Sequence, residues 1–179
     1  LEPWLDLEGA REQLGAISDA VGIDLVAHGT TSDADTIRDT KVAQPLIVAA
    51  GLLTLSSLFA DGRHEKVGGV AGHSVGEVTA AAAAGILSDT DAVAFVRERG
   101  RAMADAAALE PTGMSAVLGG DEAALLERLA ELDLFPANFN GGGQLVVAGA
   151  LPALAALAEN PVAGTRVIPL QVAGAFHTR

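Results

Sequence analysis

One stretch limits what this chain can fold into more than any other: Val67-Gly68-Gly69-Val70-Ala71-Gly72-His73-Ser74-Val75-Gly76-Glu77, apolar residues leading through glycines into an alanine-rich segment. The spacing Gly72-x-Ser74-x-Gly76 predicts a short buried strand, a sharp turn with Ser74 at its tip, and a helix opening at Val75. In such a turn the missing glycine side chains let strand and helix approach, and the serine is held in a strained conformation with its hydroxyl exposed. That is the geometry of a nucleophile elbow. The helix also aims its first N–H groups at the serine, so a developing oxyanion meets the amide of Val75 and the positive end of a helix dipole. A glycine-rich turn with an incidental serine has the same local wording. Context favours the elbow: a strand before, a helix after, and a histidine far downstream at His177.

Composition bounds the rest. The 179 residues allow one domain, or one carrying a smaller insertion, and with half of them hydrophobic a sizeable core can form. Against 23 Asp+Glu stand 11 Lys+Arg, and a net charge of −12 argues against nucleic acid as a partner, because phosphate binding wants a basic face. An anionic substrate therefore needs a local cation. The absence of cysteine excludes disulfides, thiolate metal sites and cysteine nucleophiles. With no signal peptide at the start it points to the cytoplasm. Apolar runs such as Val78 to Leu87 are too short for a bilayer, which takes about 20 residues, so no membrane span is expected.

Taken in order, helical periodicity runs from about Glu8 to Val21, and Asp33 to Asp39 reads as a short capped helix. Val42 to Ala60 is a long apolar helix, with Pro45 expected in its first turn and leucines almost all round, which predicts burial on every side. After the elbow helix closes on Gly85, Ser88 and Asp91 resemble a capping box opening a helix from about Asp89 to Leu109. Ala92, Phe95, Val96, Arg99 and Met103 share its apolar stripe, which makes Arg99 anomalous, whereas Arg101 has Glu98 and Asp105 as helical neighbours and reads as a surface charge. An arginine so placed either pairs with an internal carboxylate or holds one supplied by a substrate. From Gly113 the pattern shortens to a strand Met114–Leu118, a helix from Glu122 to Leu132, strands around Phe135–Asn138 and Leu145–Ala148 joined by Asn140-Gly141-Gly142-Gly143, a helix Pro152–Ala158 and a strand Arg166–Val172. The order β-α-β-β-α-β is that of a ferredoxin-like unit.

Four motifs then coincide: Gly72-His73-Ser74-Val75-Gly76-Glu77; Arg99-Gly100, twenty-five positions after the serine; Asn138-Phe139-Asn140 with Gly143-Gln144; and Ala175-Phe176-His177-Thr178. Together with Gln44-Pro45 and Pro111-Thr112-Gly113-Met114, they make nearly the whole chain resemble the malonyl-CoA:acyl carrier protein transacylases. The resemblance implies an α/β fold, with an α/β-hydrolase-like large subdomain (1-112 and 171-179) carrying an inserted ferredoxin-like subdomain (113-170). It implies malonyl transfer from malonyl-CoA to the phosphopantetheine thiol of acyl carrier protein, with no cofactor and no metal, coenzyme A entering only as the thioester. Ser74 is then the acylated nucleophile, His177 its general base and acid, and Arg99 the partner of the free malonyl carboxylate. Val75 supplies an oxyanion donor, His73 supports the elbow or lines the pocket, Asn140 lies behind the first contacts, and Phe176 crowds substituents on the malonyl α-carbon. The chemistry agrees, because a serine hydroxyl needs an imidazole to take its proton and a guanidinium fork suits a carboxylate.

Such transacylases begin with a strand and a Gly-Gln-Gly loop, and they continue past the histidine; neither feature is present, so the sequence is expected to be part of a longer chain. Two other classes stay open: an α/β-hydrolase-type serine esterase, which shares G-x-S-x-G but gives no reason for Arg99, and an incomplete fragment that only binds partners. For an acidic carrier protein, Arg63, His64 and Lys66 form the best cluster along the sequence.

Overall fold

The computed structural model describes residues 1–178, apart from the side chain of Asp61. The chain forms two compact units, the first from Leu1 to Met103 and the second from Ala104 onward.

The first unit is helical. Helix α1 (Ala10–Val21) sits between Gly9 and Gly22, both left-handed, and buries Ala10, Leu14, Ile17 and Val21, the residues at helical spacing. Two short helices follow: α2 (Leu25–Thr30), which the sequence reading did not anticipate, and α3 (Ala34–Arg38). Each is opened by an aspartate, Asp24 accepting from Ala27 N–H at 2.9 Å and Asp33 from Thr36 N–H at 2.8 Å. The hydrogen bond from the Thr36 backbone holds the Asp33 carboxyl below its ordinary value.

Helix α4 (Thr40–Phe59) is the spine of the unit. Asp39 caps it through Lys41 N–H, so it begins two residues before the expected Val42, and Pro45 falls in its second turn rather than its first. Nor is it buried all round. Gln44, Pro45, Val48, Ala49, Leu52 and Leu53 face the core, while Ile47 and Leu58 are 52% and 53% exposed. With 20 residues and a mean hydropathy of 1.8, α4 is long and apolar enough to cross a membrane by length and composition, which corrects the expectation that no segment is. Its buried face shares one core with Leu14, Ile17, Val21, Leu25, Val93 and Val96, the packing of a core helix.

A 3-10 turn (Ala60–Lys66) leaves Arg63, His64 and Lys66 exposed. The segment before Ser74 is not the predicted buried strand: residues 67–72 have no regular structure, and Val67 and Val70 are 42% and 40% exposed. Strand geometry is held by ladder hydrogen bonds, and no strand among the described residues of this unit offers any. The helix beyond, α5 (Val75–Ala83), forms as expected and crosses α4 where Gly51 meets Thr79; a Cβ at position 51 would lie 2.8 Å from the threonine methyl. Helix α6 (Asp89–Ala107) is opened by Ser88, whose hydroxyl accepts from Asp91 N–H at 3.0 Å and donates to the Asp91 carboxylate at 2.7 Å. Its buried face is Ala92, Val93, Val96 and Gly100, so Phe95, expected on the core stripe, is instead 56% exposed. At Gly100 the helix touches α4, where an added Cβ would stand 2.6 Å from the Thr40 carbonyl oxygen.

In the second unit β1 (Thr112–Gly119), α7 (Glu122–Glu131), β2 (Phe135–Gly141), β3 (Gln144–Ala150), α8 (Leu151–Glu159) and β4 (Thr165–Pro169) follow in the predicted order. The sheet order is β2-β3-β1-β4 with every pair antiparallel, the ferredoxin-like arrangement. Strand β4 stops at Pro169, opposite Ser115, short of the expected Val172. Gly142 and Gly143 both have positive φ, as a tight two-residue hairpin between β2 and β3 requires. Val117, Leu129, Leu145, Val147 and Leu157 form one core cluster; Met114, Val146 and Ala148 form another, against which Phe176 packs.

The α4–α6 contact at Gly100 can be tested directly. Gly100→Ala should lower stability by about 1–3 kcal/mol, the usual result of overpacking against backbone. Gly15→Ala on α1, where a Cβ meets nothing within 4 Å, should be neutral or stabilising in the same thermal-unfolding measurement.

Candidate active site

Ser74 stands at the mouth of α5 with φ 57° and ψ −112°, a left-handed backbone that a non-glycine residue adopts only under constraint. The constraint is visible on one side. A Cβ at Gly72 would fall 1.8 Å from the Gly76 carbonyl oxygen, so no side chain fits there, whereas a Cβ at Gly76 would meet nothing within 4 Å. The two glycines of the motif are thus unequal: Gly72 permits the close approach and Gly76 does not limit it. Gly76 N–H donates to the His73 carbonyl at 2.9 Å, and Glu77 N–H donates to that of Ser74, which tightens the first turn. Val75 N–H, first in the helix, has no acceptor among the described residues.

Arg99 reaches this turn from α6. Its Nη2 donates to Ser74 Oγ at 3.0 Å, and its Nη1 donates to the amide oxygen of Gln44 at 2.6 Å. Gln44, in turn, is 5% exposed and directs its amide nitrogen to the Met103 sulfur. Among the described residues no carboxylate pairs with Arg99, so of the two open readings the internal ion pair is not the one observed. Arg101, by contrast, lies 3.7 Å from Glu98 with its side chain 62% exposed, the surface charge expected of it.

Of the residues singled out from sequence, Ser74, Val75 and Arg99 come together here, with His73 adjacent and exposed. The others belong to the second unit. Phe176 is half-buried against Met114, Val146 and Ala148. Its segment is anchored by Ala175 N–H donating to Thr112 Oγ1 at 3.0 Å, and by Gly174, where a Cβ would come 2.7 Å from that of Ala107. His177 follows, exposed and with φ 58°, a second non-glycine left-handed position. Asn140 donates its amide across the hairpin to Gln144 Oε1 at 2.9 Å and is exposed, a local role in the turn. Among the described residues no group of three His, Asp or Glu is disposed to hold a metal.

Sequence reasoning missed Gln44 as a participant. Its signal was a polar side chain inside the most apolar helix of the chain, where a buried amide must find partners. A helix expected to bury itself entirely gives such a glutamine no separate role, and Gln44-Pro45 stands out only as a motif.

A sequence model described as "Acyl transferase domain" matches residues 13–179. The chain is 55% identical over 178 residues to the malonyl CoA-acyl carrier protein transacylase of Mycolicibacterium smegmatis, covering 99% of this chain and 61% of that one. It is 56% identical to that of Mycobacterium tuberculosis, with 99% and 59% covered. The crystal structure of MCAT from Mycobacterium tuberculosis superposes with a TM-score of 0.93 at 56% identity, over 99% of this chain and 59% of that one. The acyl-carrier-protein S-malonyltransferase of Burkholderia pseudomallei gives 0.83 at 31%, over 99% and 60%. The chain therefore spans about three-fifths of the length of these relatives. Its fold is that of the α/β transacylases it superposes on, and it belongs to the acyl transferase domain family.

Proposed function

We propose that the protein containing this chain transfers malonyl from malonyl-CoA to the phosphopantetheine thiol of acyl carrier protein, in fatty acid synthesis. The observation that carries this reading is the Arg99 guanidinium 3.0 Å from Ser74 Oγ, tethered by a neutral amide and without a carboxylate partner among the described residues. A half-buried cation beside a nucleophile is poorly matched to a neutral acyl group and well matched to one that ends in a carboxylate. This disfavours the serine-esterase alternative, which has no use for Arg99. The strained Ser74 likewise disfavours a purely binding role, since such strain usually persists where chemistry uses it.

In the proposed reaction Ser74 Oγ attacks the thioester carbonyl and gives its proton to His177, while the carbonyl oxygen becomes an oxyanion facing Val75 N–H. Collapse breaks the C–S bond; the coenzyme A thiolate leaves and takes the proton from His177. The malonyl ester then repeats the steps in reverse with the carrier-protein thiol, so the kinetics are ping-pong. Arg99 holds the carboxylate through both halves. No cofactor or metal is invoked. We also assign the division into a core (1-112 with 171-179) and an inserted subdomain (113-170) to this reaction, and place the protein in the cytoplasm, free of membrane and nucleic acid.

Four measurements on the full-length protein bear on this. Ser74→Ala should abolish both the malonyl adduct seen by mass spectrometry and transfer to carrier protein; stable malonylation of that variant elsewhere overturns the assignment. Arg99→Ala should lose malonyl transfer and gain relative activity with acetyl-CoA. Gln44→Met keeps the volume but removes the acceptor, and since a hydrogen bond to a charged group is worth about 1.5–3 kcal/mol, kcat/KM for malonyl-CoA should fall roughly ten- to hundredfold, chiefly through KM. Finally, Phe176→Ser should raise methylmalonyl-CoA use relative to malonyl-CoA, one methyl being worth about 1–3 kcal/mol in a tight pocket. An unchanged ratio of the two kcat/KM values removes Phe176 as the gate.

A further inference from the structure

On the other side of the α4–α6 crossing lies a concavity of about 360 Å³ that the proposed reaction does not use. Gly22, Ile23 and Asp24 between α1 and α2, His28 on α2, Lys41 and Val42 at the start of α4, and Arg97 and Arg101 on α6 line it. Arg97 and Arg101 each stand two residues from Arg99, about 200° around the helix, so they project on the face opposite the one that reaches Ser74.

Charge is what sets this concavity apart. The chain carries −12 overall, yet three cations and an imidazole converge here on a single lining carboxylate, Asp24. That carboxylate is already engaged as the cap of α2, accepting from Ala27 N–H. Arg97 is held in place rather than free to swing: its Nη1 donates to the Val21 carbonyl at 2.6 Å, and its Nε and Nη2 donate to Glu98 Oε1 at 3.0 and 2.8 Å. Glu98, which does not itself line the concavity, also lies 3.7 Å from Arg101, so this one carboxylate contacts both guanidinium groups. His28 has Nδ1 at 3.0 Å from Ser32 Oγ, which directs Nε2 away from that contact. A guanidinium with its orientation fixed in advance loses little freedom on binding an oxyanion, and arginine forks match phosphate geometry. The volume falls within the range of small-molecule pockets, about 300–1,000 Å³, and a concave shape suits a small ligand better than a protein face.

We propose that this concavity is a second binding site, remote from Ser74, that takes the phosphate group of a small molecule. The shared chemistry has two sources, a free phosphorylated metabolite and the nucleotide end of coenzyme A. The proposal stands apart from the malonyl reading, because its groups lie on the face of α6 opposite Arg99.

The test is calorimetric titration of the full-length protein at fixed ionic strength, with inorganic phosphate and with adenosine 3′,5′-bisphosphate. Wild type should bind phosphate saturably at one site. A Lys41→Ala/Arg101→Ala double variant, altered only at exposed side chains and checked for an unchanged melting temperature, should weaken both probes by roughly tenfold or more. Arg99→Ala should leave both affinities within about twofold, since it touches the other face. Tighter binding of the bisphosphate than of phosphate assigns the coenzyme end, and equal binding assigns a free phosphate; either supports the site. Absence of saturable binding, or loss of binding in Arg99→Ala with retention in the double variant, overturns it. So does a double variant that raises only the KM for carrier protein while phosphate affinity stays put, because the surface then serves an acidic protein instead.

Discussion

The position of the Arg99 guanidinium depends on how closely α6 can approach α4. At the crossing, Gly100 leaves room for the Thr40 carbonyl, and any side chain there would drive the two helices apart. One residue before that glycine, Arg99 reaches Gln44 on the next turn of α4 and Ser74 at the head of α5. Helix α4 is held to α5 by a similar device, Gly51 against Thr79. Two glycine contacts on a single helix therefore bring nucleophile and cation to hydrogen-bond distance, and the hydrophobic core around Val48, Ala49, Leu52 and Leu53 fixes the spine on which both depend.

That arrangement explains why the helices of the first unit could be read from the sequence better than their surroundings. Periodicity and caps are local, and α1, α3, α5 and α6 begin or end within a residue or two of where Asp33, Ser88, Gly22 and Gly85 place them. The exposed face of α4 and the coil before Ser74 are not local. Whether Ile47, Leu58, Val67 and Val70 are covered depends on what else lies beside them, and the sequence pattern carries only their apolarity. Likewise α2 escaped notice because a six-residue helix shows less than two turns of pattern. In the second unit the strands form in the expected order, β4 ending early at Pro169, since short apolar runs and the triple glycine hairpin are written into adjacent residues.

The site divides in the same way. Ser74 was legible because its turn chemistry demands Gly72, and Arg99 because a cation on a helix's inward side is out of place. Gln44 was not, since fifty-five positions separate it from the guanidinium it holds, and neither residue names the other. The cations of the second concavity come from two helices, α4 and α6, with an imidazole from α2, and no single stretch of sequence assembles them all. The basic cluster singled out along the chain, Arg63 to Lys66, is exposed on a short turn, whereas the one built by folding is concave.

A neutral partner for Arg99 has a consequence that a charged one would not. A carboxylate at position 44 would satisfy the guanidinium within the protein, and a substrate carboxylate would then have to displace an ion pair before binding. The amide oxygen of Gln44 orients Nη1 by a hydrogen bond yet leaves the positive charge uncompensated, while Nη2 rests on the Ser74 hydroxyl. In the proposed reaction an arriving carboxylate therefore has only a hydroxyl to displace, a weaker acceptor than itself, and the exchange draws Nη2 away from the oxygen that must attack. Recognition of the acid end of the substrate and exposure of the nucleophile become one event. A neutral acyl group lacks the acceptor that drives this exchange, so Arg99 would stay on Ser74 and the serine would remain covered.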